Sequence, residues 1–167
     1  SKNNYFYILN MNNYIYIIII LLIVYSSLYY IFTDEFSIYQ TKTNNFNIDL
    51  LYYKQPIVIS DNIDIDNILQ NWFMYNIINY NIPVYNIWQR NPYKYLLVYA
   101  KEKGEVTLCN AKTKTNNNAP DPSAKITTIK LNDKAIIIPF KWYYHTTSNV
   151  EIYGIHDYIT RAISMVC

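Results

Sequence analysis

The sequence predicts one N-terminal transmembrane helix joined to a single small, mainly-β domain, a β-sandwich or jelly roll with one or two helices. Three observations carry this. The stretch from Asn3 to Thr33 holds no charged residue, and short apolar segments punctuated by turn residues succeed one another from Pro56 to Ile155. The length, 167 residues, leaves room for one modest core once a helix is set aside. The expected divisions are a tail and spanning helix at 1–33, a stalk at 34–55 and a β-rich domain at 56–167.

The apolar run Tyr14–Phe32 is 19 residues long, close to the roughly 20 needed to cross about 30 Å of hydrocarbon as a helix. Tyr14, Ile18, Leu22, Tyr25, Tyr29 and Phe32 mark its course. Tyrosines gather at both ends, where an apolar ring with a polar tip suits the headgroup level. A soluble core helix rarely runs so far without a charge, and bulky Tyr25 before Ser26-Ser27 makes a poor signal-peptide cleavage site. Lys2 ahead of the run and Asp34-Glu35 after it place the N-terminus on the cytoplasmic side. None of the 22 asparagines begins an Asn-x-Ser/Thr acceptor, which argues against exposure of the domain to a glycosylating lumen. Orientation is left open by these opposing signals.

Ile (28), Asn (22) and Tyr (20) dominate the composition while Gly and Arg each occur twice. The favoured residues have A/T-rich codons, so the bias reflects coding composition, and a single Asn or Tyr says little about function. A net charge of +2 with scattered lysines gives no electrostatic footprint for nucleic acid. Two cysteines, Cys109 and Cys167, can form neither a disulfide framework nor a zinc site by themselves.

Along the domain, Pro56–Ser60 reads as a short buried strand, with Asp61-Asn62 placed to cap a following helix. That helix is expected over Ile63–Tyr80, where Ile65, Ile68, Leu69, Trp72, Phe73 and Ile77 fall near helical spacing and Pro83 ends the element. Trp72 and Phe73 are expected in the core. Tyr93–Ala100 and Glu105–Asn110 are expected to pair as a hairpin, Gly104 supplying a positive φ in the turn. Ala111–Ala124 reads as an exposed loop. Lys125–Leu131 and Lys134–Phe140 are expected as a second hairpin turning at Asn132-Asp133, followed by a strand at Val150–Ile155 and a short helix starting near His156-Asp157.

The segment Leu131–Tyr144 resembles the late hairpin of cupin-like domains of the JmjC type, where a strand ending in Gly-Asp is followed by a hydrophobic strand and a Pro-x-x-Trp-Trp-His turn. Asp133, Pro139 and Trp142 stand at matching positions, and Gln55–Ile59 is similar to the Pro-Val-Val-Ile strand that opens such domains. In active members an Fe(II) ion is held by a His-x-Asp/Glu pair and a later His. Tyr144 occupies the position of that later His, and no His-x-Asp/Glu occurs. The resemblance therefore implies a cupin-like domain without a metal, without a cofactor and without catalysis. His145 would face the opposite side of a strand from Tyr144. Asp61, Asp64 and Asp66 suit a helix N-terminus better than acid/base work.

Small degenerate cupin or jelly-roll domains on single-pass anchors, in an A/T-rich coding context, are similar to minor capsid proteins of large double-stranded DNA viruses. The expectation is a non-enzymatic tether between an internal virion membrane and capsid or other structural proteins, with no nucleic acid and no small-molecule substrate as partner. An accessory single-pass subunit of an organellar complex is the alternative. A membrane-bound oxygenase or ligand-binding cupin is a third class, against which the missing ligands count.

Overall fold

The computed structural model describes residues 2–31, 35–61, 63–113, 115–116 and 119–166, with backbone alone at 2–12, 29–30, 115–116 and 163–166. The chain divides into two compact units, 1–31 and 32–167. The first holds one helix, α1 (Lys2–Tyr30). Its large apolar side chains from Tyr14 to Leu28 are mostly exposed, between 44% for Leu22 and 67% for Tyr14, with Ile18 in that range; Tyr25 is half-buried. Among the described residues no helix is long and apolar enough to cross a membrane. The side chains described in α1 cover residues 13–28, about 24 Å of helix. The side chain of Tyr29 and all of Phe32 lie outside the described residues, so the expected span rests on the sequence run.

The second unit is mainly β. Its elements are β1 (Tyr39–Thr41), β2 (Ile57–Ile59), α2 (Ile65–Trp72), β3 (Ile77–Asn79), β4 (Gln89–Arg90), β5 (Tyr95–Ala100) and β6 (Gly104–Cys109), then β7 (Thr115–Asn116), β8 (Ala119–Pro120), β9 (Ile126–Leu131), β10 (Lys134–Pro139), β11 (Tyr143–Thr146), β12 (Glu151–His156) and α3 (Tyr158–Val166). Six strands form one sheet in the order β1-β2-β10-β5-β12-β3, four form a second in the order β4-β11-β6-β9, and β7-β8 make a small ribbon. Apart from the parallel pair β1/β2, neighbours run antiparallel.

Strands β5 and β10 are apolar on both faces, and such strands are stable only with both faces covered. One face, with Leu96, Val98, Ile136 and Ile138, meets Val106, Leu108, Leu131 and Tyr144 of the second sheet. The other, with Leu97, Tyr99, Ala135 and Ile137, is covered by Leu51 and by Ile68, Leu69 and Phe73 at α2. Ala135–Ile138 thus alternate between the two faces, with both sides buried. Strands β6 and β9 alternate instead, and β9 turns Thr128 and Lys130 to solvent.

The expected hairpins are not hairpins. Strand β5 lies in the six-stranded sheet and β6 in the four-stranded one, and β10 and β9 are divided in the same way. Residues 95–109 instead run as one bent strand antiparallel to 126–139, with Tyr95 opposite Pro139, Ala100 opposite Lys134, Gly104 opposite Leu131 and Cys109 opposite Ile126. At the bend three residues, Lys101-Glu102-Lys103, stand against two, Asn132-Asp133, so an extra residue turns the ribbon from one sheet into the other. Pairing each strand with its sequence neighbour would have put two-sided and one-sided strands into one sheet. Asp133 takes the left-handed conformation (φ 49°), whereas Gly104 does not have a positive φ. Gly104 is required by space: a Cβ there would lie 2.6 Å from Ala100 Cβ and 2.8 Å from Val150 Cγ1.

Four further expectations change. Helix α2 ends at Trp72, and Ile77–Asn79 forms β3 against β12; the apolar spacing that suggested a helix to Tyr80 also fits an edge strand. The cap is Asp64, whose carboxylate accepts from Asn67 N; Asn62 lies outside the described residues. The segment expected as a stalk at 34–55 belongs to the domain where it is described, since β1 pairs with β2 and Phe36 packs on the core. The loop at 111–124 carries β7 and β8, with Pro120 and Ala111 buried.

Replacing Gly104 with Ala should lower stability by about 1–3 kcal/mol, since a Cβ at the inner side of the bend must displace Ala100 or Val150. A thermal melt checks this, and an unchanged melting temperature would mean the bend has slack.

Candidate functional site

The residues singled out from sequence do not form one site. Gly104 and Asp133 stand at the bend, where Asp133 accepts a hydrogen bond from the Tyr99 hydroxyl at 3.1 Å. Trp72 and Phe73 lie with the layer outside the six-stranded sheet: Trp72 stacks on Phe46 with ring centroids 3.8 Å apart, and Phe73 is buried against Tyr95. Pro139, Trp142 and Tyr144 gather at the far end of β10, and it is there that the cupin-like resemblance would put a metal centre.

At that end β11 turns Tyr144 and Thr146 inward. Pro139 pairs with Tyr95 as the last residue of β10, where the missing N–H is least costly. Trp142 is 2% exposed, with its indole N–H donating to Lys54 O at 3.1 Å and Phe36 against its ring at 5.4 Å. The Tyr144 hydroxyl donates to Gln89 Oε1 at 2.7 Å. Burial, with Tyr93 and Tyr85 nearby, pushes its pKa up to about 12, so Tyr144 is a neutral phenol at ordinary pH and a poor ligand for a hard cation. Leu96, Val98, Leu108, Ile136, Ile138 and Trp142 occupy the space between the sheets around it. His145 faces the other side of β11, half-buried beside Trp88 at 6.0 Å. Among the described residues no three His, Cys, Asp or Glu side chains are grouped to hold a metal ion.

A residue that sequence reasoning passed over organises this end. Asn91 is fully buried and holds two segments together through five hydrogen bonds. Its amide donates to Ile138 O and Pro139 O, both at 2.9 Å, and its Oδ1 accepts from Tyr93 N at 2.9 Å. Its backbone N–H donates to Trp142 O, and its carbonyl accepts from Lys141 N, each at 2.8 Å. Lys141 sits in the turn at φ 65°.

Gly154 was passed over too. A Cβ at that position of β12 would lie 2.4 Å from the Tyr93 ring, so Gly154 lets Tyr93 lie flat across the strand, where it also meets the His156 ring at 4.6 Å. Its rarity was the available signal, for a chain with two glycines places each where nothing larger fits.

Outside the sandwich, Thr43, Asn44, Asp61, Asp64 and Asn67 line an open cleft of about 390 Å³. Asp61 accepts from the Thr43 N–H at 2.8 Å and from its hydroxyl at 2.7 Å, bonds that hold its carboxyl below the usual range. With Asp64 capping α2, both carboxylates tie loops and helix ends in place. Cys109 is a free, buried thiol beside the Thr113 hydroxyl; Cys167 lies outside the described residues.

No protein-family model matches the chain, and no curated protein is significantly similar to it. Among solved structures it matches RmlC from Streptococcus suis in complex with dTDP-D-xylose, at 13% identity and a TM-score of 0.28, over 62% of this chain and 62% of that one. A match of that depth assigns no family. The two sheets and the helical layer, read from the chain itself, define the architecture as a mainly-β domain.

Changing Asn91 to Ala should cost about 2–4 kcal/mol, because two carbonyls and one N–H lose their partner in a buried place; Asn91→Asp should be no better, since it sets an acceptor against two carbonyls. Trp142→Ala should cost about 3–5 kcal/mol. Chemical denaturation of each variant measures both effects, and a midpoint within error of the parent would contradict the corresponding role.

Proposed function

We propose that the chain is a non-enzymatic tether: α1 holds a lipid bilayer, and the β domain docks on structural proteins of a shell above it. The observation that supports a structural role most directly is the use of the polar atoms at the expected metal position in internal bonds, Tyr144 donating to Gln89 and Trp142 to Lys54 beside the apolar cluster between the sheets. Anchoring is supported by the uncharged run from Asn3 to Thr33 in the sequence and by the exposed Ile and Leu side chains of α1 between Ile15 and Leu28. A stretch apolar on all sides, as from Tyr14 to Val24, calls for an apolar surrounding.

Docking is supported by exposed aromatic side chains on the domain. Tyr75 is 89% and Tyr158, the first residue of α3, 80% exposed, and the loop next to Tyr75 is joined to the end of β12, two residues before Tyr158, by the Asn76 amide donating to His156 O at 3.2 Å. Tyrosines of this kind supply large contact area with a polar tip and recur as anchors at protein interfaces. The shell is read as a viral capsid from the resemblance to minor capsid proteins noted in the sequence, which makes the partner a capsid protein and the membrane an internal one.

The full-length protein should resist extraction by carbonate or high salt and come into solution with detergent; release without detergent would remove the anchor from this reading. It should also be present in purified virions at a fixed ratio to the major shell protein. Co-purification with a respiratory or ribosomal complex would replace the capsid by an organellar assembly. Changing Tyr75 and Tyr158 together to Ala should leave the melting temperature unchanged and reduce retention in particles at least tenfold, which a particle pull-down measures.

A further inference from the structure

We infer that His156 is an acid-sensitive latch that holds α3 against the domain at neutral pH and releases it on acidification. His156 ends β12, two residues before α3 begins, and is 5% exposed. Among the described residues its Nδ1 is buried and without a hydrogen-bond partner. The Tyr93 ring covers it at 4.6 Å, and the close fit of Tyr93 over Gly154 leaves that cover little room to move. A neutral imidazole can keep an idle lone pair at Nδ1. A protonated one carries an N–H there and a charge, both without an acceptor.

Among the described residues the surroundings do not supply one. Arg161, from the first turn of α3, opposes a second positive charge, and among those residues Asp157 alone favours it. Asp157 is already committed, accepting from Lys94 Nζ at 2.8 Å, from Thr160 N at 2.7 Å and from the Thr160 hydroxyl. Toward β3, the Asn76 amide is spent on the His156 carbonyl, and Ile77 is paired opposite. Burial first, and Arg161 second, lower the pKa of His156 from its ordinary 6.5. The sign follows: the closed state binds the proton less well than the open one, so closure is fully stable above about pH 6.5 and weakens as pH falls below it. The opening that hydrates His156 with least loss is at its own C-terminal side. There the start of α3 is tied to the sheet through the Lys94–Asp157 ion pair, while β12 is paired on both sides.

Hydrogen exchange of the full-length protein in detergent, corrected for the pH dependence of the intrinsic rate, tests this between pH 7.5 and 5.0. The opening equilibrium of residues 157–166 should rise below pH 6.5 by up to tenfold per pH unit, the limit for one proton, while β5 and β10 stay protected. His156→Phe, or His156→Gln, should abolish the pH dependence, and His145→Gln should keep it. Equal protection of α3 at both pH values, or a transition that survives in His156→Phe, would overturn the latch. If neither His156 variant folds, the imidazole signal of His156 in the parent protein decides: a midpoint at or above 6.5 excludes the mechanism, one below it upholds it.

Discussion

Two strands without a polar face impose the shape of the domain. Leu96, Leu97, Val98, Ala135, Ile136, Ile137 and Ile138 are buried on alternating sides of β5 and β10, and each face must be removed from water at about 25 cal/mol per Å² of apolar surface. A second sheet covers one face and α2 with the turn at Ile48–Tyr53 covers the other. The layering then fixes where the ribbon must bend. Residues 95–100 and 134–139 need two covers, 104–109 and 126–131 need one, and the change falls where Gly104 and Asp133 stand.

The same demand accounts for the interior beside Tyr144. A sandwich of this kind can keep a cavity between its sheets only by giving up apolar contact there, and here Leu96, Val98, Leu108, Ile136, Ile138 and Trp142 pack in one cluster with Tyr144. Trp142 and Tyr144 each direct one polar atom to a single protein acceptor, and Asn91 spends its amide on the backbone that carries them. The polar atoms at this end stabilise the turn from Pro139 to Tyr143.

Much of the strand content was legible, and the pairing was not. Ile57–Ile59, Lys134–Pro139 and Glu151–His156 announce themselves by apolar content between turn residues, and the burial of Trp142 follows from its size and its place after Pro139. Two short strands joined by a few residues look alike in sequence whether they pair or continue through a bend, so 93–110 and 125–140 were read as hairpins. Ile77–Asn79 was read as helix because a short apolar run fits either period. Strand β1, three residues long, pairs with residues 18 positions away and leaves no local pattern. Asn91 is hidden by abundance: it is one of 22 asparagines, and nothing in the sequence marks it as buried.

The sheets differ in how they end. The six-stranded sheet is closed off by β1 and β3, three residues each, and one side of the four-stranded sheet by β4, two residues long. Strands so short offer little template for a foreign strand. Strand β9 is the long border, six residues, and it carries Lys130 and Thr128 outward with Lys125 just before it. An ammonium group on a border strand must be dehydrated before another backbone can pair there. In a chain this rich in Ile, Tyr and Asn, those lysines and the brevity of the other borders keep the fold from adding copies of itself sideways, a safeguard that matters most where many copies are crowded on one surface.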